Sequence, residues 1–291
     1  MGDLPRQFLN MPSLEVRLPI APRPGFFSNV RLAAASLARL GEPYSSAQIT
    51  ISVGDHADPD KIRAANRWSE NFPVVWRCVP PAVCEAEGPG WAVHRDKFET
   101  EACADIVLMS DADVCAISRF DELLDALESE HPRIAGMNAH SSPFGAFPPE
   151  INDAEWRRLL DGCGLPHVPL RYSYSVVSRA DGGSCPAYFN NGFVAFNRRA
   201  FQRLHEHVHP WTRWAFDFLV NHKFFAAQVG LAVAIAKEGV EVIEFRKTDQ
   251  LNIRFRSNEK GVWDKAVAVL AAHQSTWMAE QPPSAAGQRV G

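Results

Sequence analysis

The sequence has no apolar run approaching the roughly 18 residues needed to cross a bilayer. Its opening stretch, MGDLPRQFLNMPSLEV, lacks the hydrophobic centre of a secretory leader. It also lacks the GxxxxGK loop that cradles phosphates, and the serine-rich stretches YSYSVVS and HSSP contain no nucleophile elbow. Six cysteines (Cys78, Cys84, Cys103, Cys115, Cys163 and Cys185) include no CxxC pair, which argues against zinc ribbons and dithiol redox motifs. Charge of one sign is scarce as well: the formal net charge is −4, giving no reason to expect nucleic acid or an anionic membrane as partner. These absences leave the expectation of a cytoplasmic protein with reduced thiols.

The chain has 291 residues, 46% hydrophobic and 22% charged, an ordinary globular composition. Strand and helix signals alternate through the first half. LEVRLPIA, QITISV and VVWRCV read as strands, FSNVRLAAASLARL and DPDKIRAANRWSENF as helices, and the Pro- and Gly-rich PPAVCEAEGPGWAV as a loop. This βαβα order implies a parallel sheet with right-handed crossovers. Farther on, RIAGMNA, GFVAFN, VEVIEF and KAVAVLAAH read as strands, and INDAEWRRLLDGCG and much of 198–239 as helix. The reading is one α/β domain over 1–278, with a nucleotide-binding half at about 14–115, a less regular acceptor half at about 116–278 and a disordered tail at 279–291.

ADIVLMSDADV, residues 104–114, runs a short buried-type strand into two carboxylates, Asp111 and Asp113. Ser118-Arg119-Phe120-Asp121 then has the spacing of a helix-start motif. Ligand sites of open α/β sheets gather at the carboxyl ends of strands. In extended backbone, residues i and i+2 point the same way, so both carboxylates would reach one object. Like charges that close repel unless a cation lies between them, and Mg²⁺ or Mn²⁺ is the simplest candidate. A plain strand-end turn is the competing reading. A haloacid-dehalogenase-type phosphatase also places D-x-D after an apolar strand. That motif opens its domain, whereas here βαβα elements precede it.

Taken in chain order from about residue 14 to residue 277, the sequence resembles the GT-A fold nucleotide-sugar glycosyltransferases, especially the glycogenin-like and bacterial galactosyltransferase-like retaining families. RDKFETEACADIVLMSDADV resembles their arginine-bearing helix followed by the D-x-D strand. YFNNGFVAFNRRAF resembles their FNxGxxxxN segment, and AVLAAHQSTW their C-terminal histidine. The resemblance implies a GT-A (Rossmann-like) fold with a mostly parallel sheet and helices on both faces. It further implies a UDP- or GDP-sugar as donor, an unspecified acceptor, and Mn²⁺ or Mg²⁺ held by Asp111, Asp113 and His273. In that reading Asp113 is the direct ligand, Asp111 reaches ribose or a metal-bound water, and Ala112 leaves room for the nucleotide. Gln228 lies beneath the anomeric carbon, although Ala227 stands where those families usually have Asp. The Gly and Lys that usually follow the histidine are replaced by QSTW. A homo-oligomer is compatible with this reading, and so is a sugar- or nucleotide-binding module without turnover.

Other residues carry paired readings. Arg95 would fork onto phosphate or sugar, or be a solvated helix charge. Asn190-Asn191-Gly192 is a strong hairpin-turn signal; functionally, its amides would meet sugar hydroxyls while Gly192 admits close backbone approach. Tyr188 and Phe189 would offer a sugar an apolar face, or else be core. For an inverting outcome, which needs a carboxylate base, Asp217 and Asp249 are available. His205, His207 and His209 read as solvated residues ending a helix that begins near Arg198.

Overall fold

The computed structural model describes residues 11–54, 58–116, 118–145 and 148–244. The predicted strand at 265–273, the tail at 279–291, and the candidates His273 and Asp249 lie outside the described residues. Among the described residues, seven strands form one mixed sheet. In chain order they are β1 (Leu14–Ile20), β2 (Gln48–Val53), β3 (Val74–Cys78), β4 (Ile106–Ser110), β5 (Arg133–Asn138), β6 (Phe189–Asn197) and β7 (Glu241–Glu244). The strand order across the sheet is β3-β2-β1-β4-β6-β5-β7. β1 pairs in parallel with β2 and β4, β2 with β3, and β5 with β7, while β6 runs antiparallel to both neighbours. The sheet is therefore mostly parallel, and its order reverses direction at β1 and β4, where crevices for ligands form.

The helices are α1 (Pro24–Ala38), α2 (Pro59–Ala65), α3 (Pro81–Glu87), α4 (Pro89–Glu99), α5 (Asp121–Leu127), α6 (Pro149–Gly162), the single turn α7 (Arg179–Gly182), α8 (Arg198–Phe218) and α9 (Ala226–Glu238). β4 shows why both faces of the sheet are covered. Ile106 and Leu108 pack into one cluster with Val30, Leu37 and Leu124. Val107 and Met109 pack into another with Phe201, Leu204 and Leu231. All four are at most 3% exposed, so the alternation expected of a half-buried strand is absent. A third cluster joins Trp156, Leu159 and Tyr188 to the end of α8 and the start of α9. No helix among the described residues is long and apolar enough to cross a membrane.

Several sequence expectations need correction. The segment read as a loop, 80–93, is mostly helical: Pro81 and Pro89 each stand at a helix start, where no N–H is needed, and Gly88 (φ 81°) turns the chain between them. The helix expected over 58–72 stops at Ala65 and continues as a 3-10 turn, Arg67–Asn71. α5 begins at Asp121 without a side-chain cap from Ser118; instead the Tyr44 hydroxyl accepts from the Phe120 N–H and donates to Asp121. α8 does not end at His209 but passes through Pro210 to Phe218. Its buried stripe of Phe201, Leu204, Val208, Thr212 and Ala215 continues across the proline, and packing outweighs the missing hydrogen bond.

Candidate active site

β4 delivers the acidic pair to the middle of the sheet. The Asp111 N–H still bonds to the Gly192 carbonyl (3.1 Å), which prolongs the β4–β6 ladder by one residue. Extending the strand's alternation sets Asp111 on the face of Met109, toward α4, α8 and α9. Beyond it the backbone is no longer extended. Val114 N–H bonds to the Asp111 carbonyl (3.2 Å), so 111–114 is a tight turn, and the expected i, i+2 alignment in extended backbone is replaced by neighbourhood within one turn. Both carboxylate residues are half-buried. Ala112, expected to face a nucleotide, is 3% exposed and belongs to the α1/α5 side of the core.

Facing Asp111 across the edge is α4, fixed from two directions. The Asp96 carboxylate accepts from Arg77 on β3 through two N–H groups (2.9 and 3.1 Å) and from the Ser52 hydroxyl on β2 (2.5 Å). Arg17 on β1, 1% exposed, pairs with Glu15 and donates to the carbonyls of Lys97 (2.6 Å), Thr100 (3.0 Å) and Glu101 (2.9 Å). The guanidinium thus satisfies carbonyls at the C-terminal end of α4 and also stacks over Phe201, 4.4 Å from its ring centre. This accounts for two charges inside an otherwise apolar strand, LEVRLPI.

The face of α4 left by these tethers carries Trp91, His94, Lys97 and Phe98, at helical spacing. Together with Met109, Asn191, Val194, Ala227 and Leu231, these residues line a partly open cavity of about 70 Å³ between the sheet and α8 and α9, whose rim also carries Glu87, Arg95, His209, Thr212 and Arg213. Lys97 is 3% exposed. Burial pushes its ammonium below the usual lysine range, opposed by the negative charge of Asp111. Burial likewise pushes His94 down to about 4, helped by the Lys97 charge and opposed by Asp111, so its imidazole is neutral at pH 7. Both groups are therefore within electrostatic reach of Asp111.

Arg95, the residue expected to fork onto a ligand, has its charge matched within the protein: it bonds to Glu87 (2.6 Å) and Glu99 (2.5 Å). Glu87 also lies 3.4 Å from His209, which lines the cavity and whose ring burial pushes toward the neutral form. The residues that face Asp111 are one step and two steps away, His94 and Lys97. The signal for them was the Trp91, His94, Phe98 periodicity, which sets polar residues within an apolar helix face.

Asn190-Asn191-Gly192 does not form a hairpin turn; it is the start of β6. Ladder bonds from Asp111 outweigh the local turn preference. The Asn190 side-chain oxygen is taken by the Gly192 N–H (2.8 Å), whereas the Asn191 Oδ1 is buried and finds no hydrogen-bond partner. Tyr188 and Phe189, at 0% and 1% exposure, are core, and neither offers a surface to a sugar. Gln228 is half-buried in the first turn of α9, beside the cavity-lining Ala227, and its Oε1 is also buried without a partner. Asp217 is exposed on α8.

Among the described residues, no three His, Cys, Asp or Glu side chains gather into a metal-binding group. The acidic pair alone suits a hard ion of the Mg²⁺ or Mn²⁺ type, which takes one or two protein carboxylates and completes its shell with water and substrate phosphate.

No protein-family model matches the chain, and no curated protein matches it. Solved structures similar in fold include mouse xyloside xylosyltransferase 1 in its apo form, with 13% identity and a TM-score of 0.48 over 81% of this chain and 86% of that one. The galactosyltransferase LgtC in complex with donor and acceptor sugar analogues is 12% identical, with a TM-score of 0.48 over 87% of this chain and 83% of that one. Core-mannan synthase A of Aspergillus fumigatus, in a Mn/GDP form, is 9% identical, with a TM-score of 0.45 over 83% and 73% of the two chains.

Proposed function

We propose that the protein is a glycosyltransferase that moves a sugar from a nucleoside diphosphate to an acceptor hydroxyl, with a divalent ion at Asp111 and Asp113. One observation carries the reading. The acidic pair follows Met109, which lines a cavity together with Lys97 and Asn191, and two amide oxygens there or beside it, Asn191 Oδ1 and Gln228 Oε1, are buried without a hydrogen-bond partner. Buried polar atoms are nearly always satisfied, so unsatisfied ones beside a cavity point to a ligand that supplies the missing contacts.

The chain's own residues divide the work. Asp111 and Asp113 hold the ion, which when bound neutralises charge building on the departing diphosphate. His273, outside the described residues, is the third ligand in this reading. Asn191 and Gln228 present acceptor oxygens to donor-sugar hydroxyls, and the neutral His94 adds a hydrogen-bonding ring without a second positive charge beside Lys97. Oriented contacts of this kind raise the rate by holding the reacting carbon in line. Retention of anomeric configuration is the outcome favoured, with Gln228 on the face opposite the leaving group.

A thermal-shift series with UDP and GDP, each with and without Mn²⁺ or Mg²⁺, tests the reading. Nucleotide and metal together should raise the melting temperature more than the sum of their separate effects, because each binds through the other. Asp113→Asn, which keeps the size and loses the charge, should remove most of that synergy with the fold intact. Additive shifts at subsaturating ligand would overturn the bridged site. Phosphomonoester hydrolysis without nucleotide dependence would replace the reading with a phosphatase, and binding without sugar release would make the chain a non-catalytic module.

A further inference from the structure

A fixed positive charge stands beside the proposed metal site. Lys97, on α4, lines the cavity together with Met109, two residues before Asp111, and Asn191, next to the Gly192 whose carbonyl accepts from the Asp111 N–H. Its side chain is 3% exposed, and among the described residues its ammonium enters no ion pair. The charge that acts on it is that of Asp111. The other ionisable groups around the cavity are engaged elsewhere or uncharged. Arg95 bonds to Glu87 and Glu99, His209 lies 3.4 Å from Glu87, and the His94 imidazole is neutral at pH 7. Arg213 is exposed on α8, near His209.

A lysine in this place acts in opposite directions on a metal ion alone and on a diphosphate. Without ligand, the ammonium offsets part of the Asp111 charge. A divalent ion at Asp111 and Asp113 takes over that role and leaves Lys97 facing a like charge with nothing negative in exchange. At the effective dielectric of a partly buried site, such repulsion is about fourfold stronger than in water. A nucleoside diphosphate reverses the sign, because its oxygens bring more negative charge than the ion brings positive. We infer that Lys97 makes occupancy by the metal conditional on the diphosphate: it weakens binding of the free ion and strengthens binding of the nucleotide. The charge cannot retreat with its helix, since Arg77 and Ser52 hold Asp96, and Arg17 holds the Lys97 carbonyl, through bonds in which the ammonium takes no part. The inference rests on the proposed transferase reading and assigns a role at that site to a residue outside the acidic pair.

The test measures two affinities on the full chain. Electron paramagnetic resonance of free Mn²⁺ reads binding of the metal alone. Calorimetry at saturating Mn²⁺ reads binding of UDP or GDP, whichever gives the larger thermal shift. Lys97→Met should bind Mn²⁺ alone about tenfold more tightly than the unaltered chain and the nucleotide about tenfold more weakly, the opposite signs expected of one lost positive charge. Lys97→Gln, equally neutral, should do the same and decides the matter if the methionine variant does not fold. Metal and nucleotide should still bind synergistically in both, because the ion contacts the phosphates directly. Arg95→Gln removes a cation from the same helix that is already paired, and should change either affinity by less than about threefold. If the unaltered chain shows synergy but the neutral Lys97 variants leave Mn²⁺ affinity unchanged or weaker, the inference fails and the transferase reading stands. If Arg95→Gln tightens Mn²⁺ as much as they do, the effect belongs to overall charge and the assignment to Lys97 fails. If the unaltered chain shows no synergy, the site reading beneath it fails as well.

Discussion

Replacing Lys97 with methionine should make the unliganded protein more stable. The side chain is 3% exposed, and among the described residues it enters no ion pair. Burial outweighs the pull of Asp111, so the ammonium is worse off in the fold than in water. The effective penalty for an ion held out of water is several kcal/mol, and the Asp111 charge returns part of it. Methionine keeps the length and most of the volume without the charge, and volume-conserving exchanges of this kind typically perturb packing by less than about 1.5 kcal/mol. The balance favours the variant by about 1–3 kcal/mol. At roughly 2–4 °C per kcal/mol for a chain of this size class, the melting temperature should rise by about 2–12 °C. Scanning calorimetry without ligand reads the shift, and sugar release from the donor reads the loss of turnover. A gain in stability with a loss of function is the signature of a group placed for a ligand. A variant that melts several degrees lower, with turnover intact, would show that the ammonium is paired within the fold and would refute the argument.

Arg17→Met should destabilise by about 3–5 kcal/mol, since it strands the buried Glu15 carboxylate and frees the carbonyls of Lys97, Thr100 and Glu101; chemical denaturation measures it. Glu15 has its own pH signature: burial alone would raise its carboxyl, but the bonds and charge of Arg17 and the Cys103 N–H hold it below the usual range. A depressed folded pKa means that its contribution is complete above the unfolded value of about 4.3 and is lost as pH falls through the folded value, so Glu15→Gln should flatten melting temperature against pH below about 4.3. Gly230→Ala would bring a Cβ to 2.5 Å from the Thr212 backbone N and Oγ1 and force α8 and α9 apart. Overpacking of about 1–3 kcal/mol should exceed the roughly 1 kcal/mol that alanine gains in helix propensity, and a raised melting temperature would contradict this.

The central strand was readable because its cause is local: Ile106 to Met109 are apolar without alternation, and burial on both faces is the only arrangement that suits them. The acidic pair followed from the same run. What was not readable depended on distant partners. Asn190-Asn191-Gly192 looks like a turn until Asp111 bonds to Gly192, and that ladder is set by pairing across 81 residues of chain. Pro81, Gly88 and Pro89 looked like a loop because two short helices with prolines at their starts have the composition of one. The charges of LEVRLPI needed the end of α4 to explain them, and the choice among His94, Arg95 and Lys97 needed Glu87 and Glu99, which hold Arg95.

These same contacts explain how a half-formed polar site persists in a stable fold. Neither tether of α4 uses the groups that face the cavity. Asp96 takes Arg77 and Ser52, and Arg17 takes the backbone carbonyls at the helix end, including the carbonyl of Lys97 itself. The backbone of Lys97 is therefore fixed by bonds in which its ammonium has no part. On the opposite wall, Asn191 is fixed by the β6 ladder and by the neighbouring Asn190–Gly192 bond, again without its own Oδ1. Each side chain is held in position by its backbone, and the Asn191 Oδ1 is left without a partner. Such groups do not need to reorganise when a ligand arrives, and that preorganisation is what gives buried dipoles and charges their value in catalysis. The folding contribution comes from Asp96, Arg17 and the sheet, and the recognition contribution from Lys97, Asn191 and Asp111. Substitutions in the first set should change stability before affinity, and those in the second should change affinity before stability.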